Sequence, residues 1–278
     1  MGIFDFFKPV NSITPDEVRR YIREKSTDEY CLLDVRQPAE YAAGHLPGAK
    51  LIPLGELRSR IGDMNPEKPT IVYCRTASRS RSAAGLLTGA GFKEVYNMQG
   101  GIIVYNGAIA SGVPESGMFC FQESSVPTEL AAVAWLIEDG SMRFLAGLGG
   151  MIQGTEVSAL VGKLTQTKAE KKTAVLNLYE QLAGRKPDKE FPAGVLEAPP
   201  EDIMAGCVKV GQALQWAKGK ETRDILEAMM ALEANTLDLY LKMERITREE
   251  EAKKVFRLLS EQENISLGIV ASLLDKTL

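Results

Sequence analysis

The chain has 278 residues, 45% hydrophobic and 25% charged, an ordinary globular mixture long enough for one or two domains. A formal net charge of −4 gives no electrostatic case for nucleic acid or an acidic membrane surface. No uncharged apolar run reaches the roughly 18 residues of a membrane span, and Met1–Pro9 lacks the basic opening and apolar core of a signal peptide, so a cytoplasmic location is expected. The four cysteines, at 31, 74, 120 and 207, stand singly, without metal or disulfide spacing, and suit a reducing compartment.

Thr14-Pro15-Asp16-Glu17 reads as a helix start: Thr14 as N-cap, Pro15 as first helical residue, Glu17 closing a capping box. Val18, Tyr21 and Ile22 give that helix its buried side. Tyr30–Val35 is an uninterrupted apolar run, the mark of a strand covered on both faces in a parallel α/β sheet, and Cys31 within it reads as a small buried hydrophobe. His45 is the only histidine, and in Gly44-His45-Leu46-Pro47-Gly48 it reads as a loop residue bonded to a local carbonyl. Strands near 50–53, 70–74 and 94–97, alternating with helices near 55–61 and 80–90, complete an α/β pattern.

The chemistry sits in Thr70-Ile71-Val72-Tyr73-Cys74-Arg75-Thr76-Ala77-Ser78-Arg79-Ser80. A β-branched and aromatic run ends on a cysteine, and a helix-like run opens at Ser80. A thiol between a strand end and a helix start meets unpaired N–H groups and the positive end of a helix dipole, both of which favour thiolate. Arg75 and Arg79 add positive charge at that point.

This segment, with Leu32–Arg36, Glu40-Tyr41, Gly44–Ala49 and Gly91–Gly101, resembles the rhodanese family of sulfurtransferases over roughly residues 12 to 112. The family's Cys-x4-Arg loop is matched by Cys74 and Arg79. Related dual-specificity phosphatases place five residues between Cys and Arg to wrap phosphate, and this loop is one residue too short for that. Many family loops carry Gly in mid-loop where this chain has Ala77, a residue that is strained if the position needs φ > 0. The resemblance implies Cys74 as the catalytic nucleophile, with Arg75, Thr76, Ala77, Ser78 and Arg79 cradling a small anionic sulfur donor, and no cofactor for the transfer.

Residues 113–124 read as a linker, small and Pro- and Gly-bearing at its start. Met118–Phe121 is an apolar patch, and Cys120 reads as inert, since nothing charged beside it lowers its pKa. From Thr128 the periodicity becomes helical, with candidate helices at 127–147, 155–183, 200–217, 221–246 and 248–276. Two helix pairs and a long Pro-marked connection fit a four-helix bundle with one crossover, and Cys207 in the extra helix reads as buried.

A weak internal repeat runs through these helices. Glu138 and Glu233 are followed, 32 and 30 residues later, by Glu170 and Glu263, each with a hydroxyl residue, Thr173 or Ser266, at i+3. Glu138, Glu233 and Glu263 lie on apolar stripes, whereas Lys171 competes with Glu170 for its face. Residues 125–278 resemble the rubrerythrin and ferritin-like family, whose helices hold two metal ions through lone glutamates and Glu-x-x-His pairs. Both histidines are replaced here, and no C-x-x-C pair is present for a rubredoxin-type iron site. The resemblance implies a metal site at Glu138, Glu170, Glu233 and Glu263, oxygen-ligated and suited to Fe or Mn, or carboxylates that share protons without metal.

The expected fold is therefore an α/β rhodanese-like domain over 1–112, with a parallel sheet flanked by helices, then an all-α ferritin-like four-helix bundle over 125–278. The expected function is sulfur transfer from thiosulfate or a persulfide to a thiol or cyanide through a Cys74 persulfide. The alternatives are a di-iron or di-manganese oxidoreductase in the helical half, or a non-catalytic bundle that pairs two copies of the chain. No nucleic-acid or membrane partner is expected.

Overall fold

The computed structural model describes residues 10–113, 126–152, 155–196, 199 and 201–276. The chain divides into two compact units, Met1–Pro114 and Glu115–Leu278. The apolar patch at Met118–Phe121, with Cys120, lies outside the described residues.

The first unit is a parallel five-stranded sheet whose strands lie side by side in the order 11–13, 95–98, 70–73, 31–34 and 50–51. Its strands are β1 (Asn11–Ile13), β2 (Cys31–Asp34), β3 (Lys50–Leu51), β4 (Thr70–Tyr73) and β5 (Val95–Met98). The middle strand, β4, is buried along its whole length, which is why its sequence is continuous Thr-Ile-Val-Tyr rather than alternating. Three helices connect the strands: α1 (Pro15–Glu24), α2 (Pro38–Ala43) and α3 (Ser78–Gly89). The α1 start is as expected: the Glu17 N–H donates to Thr14 Oγ1 at 3.3 Å and the Thr14 N–H to Glu17 Oε2 at 2.8 Å. Val18 and Ile22 are buried from it, and Tyr21 packs edge-on against Tyr30 at 5.8 Å.

The helix expected at 55–61 is a run of turns. Its backbone bonds are mostly i to i−3, as in Glu56 to Pro53 and Ser59 to Glu56, and only Ile61–Asp63 closes a 3₁₀ turn. Pro53 and Gly55 at its start and Gly62 near its end leave too few residues to repeat an α-helical turn.

The second unit has four long helices, α4 (Pro127–Leu148), α5 (Thr155–Ala183), α7 (Thr222–Ile246) and α8 (Glu250–Asp275), and a short α6 (Val210–Ala217). The extensive packings are α4 on α5 and α7 on α8, with α5 against α8 and α4 against α7 closing one core. The helix expected at 200–217 is instead a two-stranded hairpin, β6 (Ile203–Met204) and β7 (Val208–Lys209), followed by α6. Gly206 at φ 77° and Cys207 at φ 61° are left-handed, and that backbone ends any helix before Val210. Cys207 is exposed at the hairpin turn rather than buried. Gly140 on α4 lets this hairpin approach, since a Cβ there would stand 1.8 Å from the Ile203 carbonyl oxygen. Among the described residues no helix is long and apolar enough to cross a membrane.

In the first unit the tightest backbone approach lies beneath the end of β4. Gly101, at φ 68°, has room for no side chain: a Cβ would stand 2.4 Å from the Arg75 carbonyl oxygen. Replacing Gly101 by Ala therefore forces both left-handed strain and a backbone clash, at least about 2 kcal/mol. Both tryptophans, Trp135 and Trp216, belong to the second unit. Gly101→Ala should thus lower the urea midpoint seen by tyrosine-weighted circular dichroism and leave the tryptophan-fluorescence transition in place. Unchanged midpoints in both signals would contradict it.

Candidate active site and the buried ion cluster

β4 delivers Cys74 to the carboxyl edge of the sheet, the usual location of ligand sites in open α/β sheets. The chain then turns through Arg75-Thr76-Ala77 into α3. Ala77 is the N-cap and sits at φ 71°, so the conformational demand anticipated for this position is present and a non-glycine residue meets it. Ala77 carries no side-chain oxygen to satisfy the first N–H groups of α3, and the sulfur receives them instead.

Cys74 is 1% exposed. Burial alone pushes its thiol up. The Ser80 hydroxyl, donating to Sγ at 3.3 Å, and the backbone N–H groups of Ser80, Thr76 and Arg79 outweigh it, and the thiol lies below its ordinary value. Asn97 Nδ2, from β5, donates to the Ala77 carbonyl at 3.4 Å. The N–H groups of Ile102 and Ile103 donate to the carbonyls of Cys74 and Arg75 at 2.9 and 3.3 Å. The loop is thereby held from both sides.

The two arginines stand differently. Arg79 forks onto Glu40 of α2, Nη1 to Oε2 at 2.7 Å and Nη2 to Oε1 at 2.6 Å. The Arg79 fork holds the Glu40 carboxyl down at about 2, against partial burial and with help from the Gln37 N–H. Arg75, Thr76 and Ser78 are exposed, and among the described residues Arg75 has no ion-pair partner. Behind the loop, Arg36 is buried on Asp34, with Nη2 at 2.6 Å from Asp34 Oδ2 and donating to the Gly44 carbonyl at 2.6 Å. That pair ties the end of β2 to the end of α2 and so fixes the helix that presents Glu40. His45 Nδ1 lies 2.9 Å from the Tyr41 carbonyl, the local bond expected of it, and its ring stacks on Tyr41. Cys31 is half-buried in β2.

Sequence reasoning located the Cys74 loop and missed its two determinants. The Glu40–Arg79 pair spans 39 residues and leaves no local pattern. Ser80 looks like an ordinary first-turn residue until the loop closes on the sulfur.

In the second unit Glu138, Glu233 and Glu263 come together, each fully buried. Glu170 does not join them: it is exposed on α5, where Gln166 Nε2 donates to its Oε1 at 3.1 Å. The α5 position facing the carboxylates belongs to Lys168 and Lys171, both buried. Lys168 Nζ lies 2.9 Å from Glu263 Oε1, 3.0 Å from Glu233 Oε2 and 3.8 Å from Glu138 Oε2. Lys171 Nζ lies 2.5 Å from Glu263 Oε1. The Tyr240 hydroxyl donates to Glu138 Oε1. Ser266 and Ser141 are also buried, whereas Thr173 is on the solvent side with its hydroxyl on the Ala169 carbonyl. The signal for the lysines was present in the sequence. Val157, Val161, Leu164, Lys168, Lys171, Val175 and Leu178 follow an alternating 4-3 spacing, and every one is buried.

The Ser80 hydroxyl is the one side-chain donor to Sγ among the described residues, and its loss should raise the Cys74 thiol. Thiolate absorbance followed against pH, in a background with Cys31, Cys120 and Cys207 replaced by Ser, should show Ser80→Ala titrating at higher pH than its parent. A midpoint that stays or falls would assign the stabilisation to backbone dipoles alone.

The comparisons with known proteins agree with the first unit's geometry. The model of the Rhodanese-like domain matches residues 14–108. The Bacillus subtilis (strain 168) protein YqhL is 36% identical over 100 residues, 36% of this chain and 75% of that one. A sulfurtransferase of Allochromatium vinosum is 31% identical over 34% of this chain and 88% of its own. The thiosulfate sulfurtransferase GlpE of Pseudomonas entomophila is 36% identical over 30% of this chain and 81% of its own. Through its first unit, this chain belongs to the rhodanese-like family, a family of sulfur transfer.

Proposed function

We propose that the protein is a sulfurtransferase in which Cys74 carries the sulfur as a persulfide. The supporting observation is a buried thiol whose sulfur accepts hydrogen bonds from Ser80 and from the first turn of α3, an environment that favours an anion on sulfur. The Cys74 thiolate attacks the sulfane sulfur of a donor such as thiosulfate. A new S–S bond forms at Sγ, the donor's S–S bond breaks, and sulfite leaves with the electron pair. An acceptor thiolate, or cyanide in an assay, then attacks the outer sulfur and releases Cys74 as thiolate.

The arginines divide the remaining work. Arg75, exposed and unpaired among the described residues, meets the donor's charge. Arg79, committed to Glu40, holds the turn and the start of α3 and acts as a positioning residue. The four long helices, two sequential pairs joined by the long segment 184–221, support a ferritin-like arrangement for the second unit.

Thiosulfate:cyanide transfer by the full chain tests this. Cys74→Ser should fall to background, while Ser at 31, 120 or 207 should leave most of the activity. Arg75→Ala should raise KM for thiosulfate about 2- to 5-fold with kcat nearly unchanged, the worth of one exposed charge contact. Arg79→Ala should lower kcat, because it releases the loop. Turnover by Cys74→Ser, or aryl phosphate hydrolysis faster than sulfur transfer, would overturn the assignment.

A further inference from the structure

Three carboxylates and two ammonium groups, all out of water, form one cluster inside the second unit. A buried carboxylate without a counter-charge loses several kcal/mol of solvation, so this cluster is tolerated only if its charges compensate one another. The sequence pattern of glutamates suggests that metal ions would supply the positive charge. The side chains do not fit that group. The α5 helix contributes no carboxylate, because Glu170 is turned to solvent, and no histidine is available on any helix. Among the described residues no set of three or more His, Cys, Asp or Glu is arranged to hold a metal ion.

The internal repeat shows what replaced it. Glu263 follows Glu233 by thirty residues, and Lys168 follows Glu138 by the same thirty; Lys171 then corresponds to Ser266. The two lysines stand where the repeat calls for a ligand pair, and their ammonium groups reach the carboxylate oxygens at 2.5 to 3.0 Å, with Glu138 at 3.8 Å. A protonated amine has no lone pair to give a metal, and a divalent ion beside two ammonium groups would be repelled.

We propose that Lys168 and Lys171 are the resident cations of the second unit: their ammonium groups fill the space between Glu138, Glu233 and Glu263 that metal ions would need, and the unit folds without metal. Burial, with the Glu263 carboxylate beside it, pushes the Glu233 carboxyl well up so that it keeps its proton, and two ammonium groups then face two carboxylates in a core with no metal-borne redox centre. The neutralisation is specific to α5. Lys172, one residue on, instead faces outward to Asp139 at 2.9 Å and lies over the Trp135 ring.

The test uses the full chain, expressed in medium supplemented with iron and manganese and then dialysed. Metal analysis should find no stoichiometric metal, and Mn²⁺ or anaerobic Fe²⁺ should leave the thermal midpoint of tryptophan fluorescence unchanged. One or two equivalents of retained metal that Glu233→Gln abolishes would overturn the proposal, whatever the variants do. Lys168→Met should lower the midpoint by roughly 10 °C, the scale expected when one partner of a buried pair is removed. Adding Glu263→Gln to Lys168→Met should restore a large part of that loss, because Glu263 Oε1 is the carboxylate oxygen nearest Lys168 Nζ and one anion then leaves with one cation. If Lys168→Met melts like the parent, or if the double variant loses as much as the sum of its single changes, the lysine is packing rather than counter-charge and the proposal fails. If Lys168→Met does not fold, the metal measurements on the unaltered chain still decide. The variant Lys168→Glu with Lys171→His places a Glu-x-x-His pair on α5, and its midpoint should rise with Mn²⁺ where that of the parent does not.

Discussion

An anion on a sulfur atom that is itself out of water has to be held by fixed dipoles, and the first unit is arranged around that requirement. Water cannot solvate a thiolate on a residue that is 1% exposed, and burial alone would keep the proton on sulfur. The compensation comes from N–H groups that a helix start leaves unsatisfied in any case. For those groups to point at Sγ, the chain must turn from strand to helix within three residues, and that turn places Ala77 in left-handed backbone. The strain at Ala77, the missing side-chain cap on α3 and the lowered thiol are thus one arrangement seen at three positions.

Such a turn would relax if nothing opposed it. Opposition comes from below, where Gly101 lets backbone approach closely enough for Ile102 and Ile103 to bond the carbonyls of Cys74 and Arg75. It comes from the side, where Glu40 grips Arg79 in a two-point fork that is only about one-third exposed. At that exposure its Coulomb energy is screened and its stabilisation modest. Its value is directional: a planar guanidinium bound at two points fixes the first turn of α3 relative to α2. The Asp34–Arg36–Gly44 set performs the same service for α2, and because it is buried, each of its charges needs the other to remain there. The first unit therefore has a chain of charge pairs that begins in the core and ends at the Cys74 loop.

The second unit faces the same problem with more charge and meets it differently. A single sulfur anion can be held by backbone dipoles, whereas three buried carboxylates exceed what helix interiors offer, since mid-helix N–H groups are already bonded to carbonyls. Full positive charges are needed. Two lysines from one helix supply them, and Tyr240 adds a neutral donor for Glu138.

What could be read from the sequence follows this division. Local patterns carried the start of α1, the buried strands and the Cys74 loop, because caps, β-branched runs and a strand–helix junction leave their marks within a few residues. Pairs distant in sequence, such as Glu40 with Arg79, left none. In the helices the spacing of glutamates and the spacing of apolar residues point to different faces of α5. A spacing of 32 residues chose Glu170, while the 4-3 rhythm of Val157, Val161, Leu164, Val175 and Leu178 passes through Lys168 and Lys171. Glu170 is two residues from Lys168, about 200° around the helix, so one choice of phase exchanges the core face for the solvent face. A lysine on a core stripe is easily dismissed, because lysine is seldom fully buried. When two of them share that stripe three residues apart, opposite carboxylates on stripes of their own, the lysines are the counter-charges those carboxylates require.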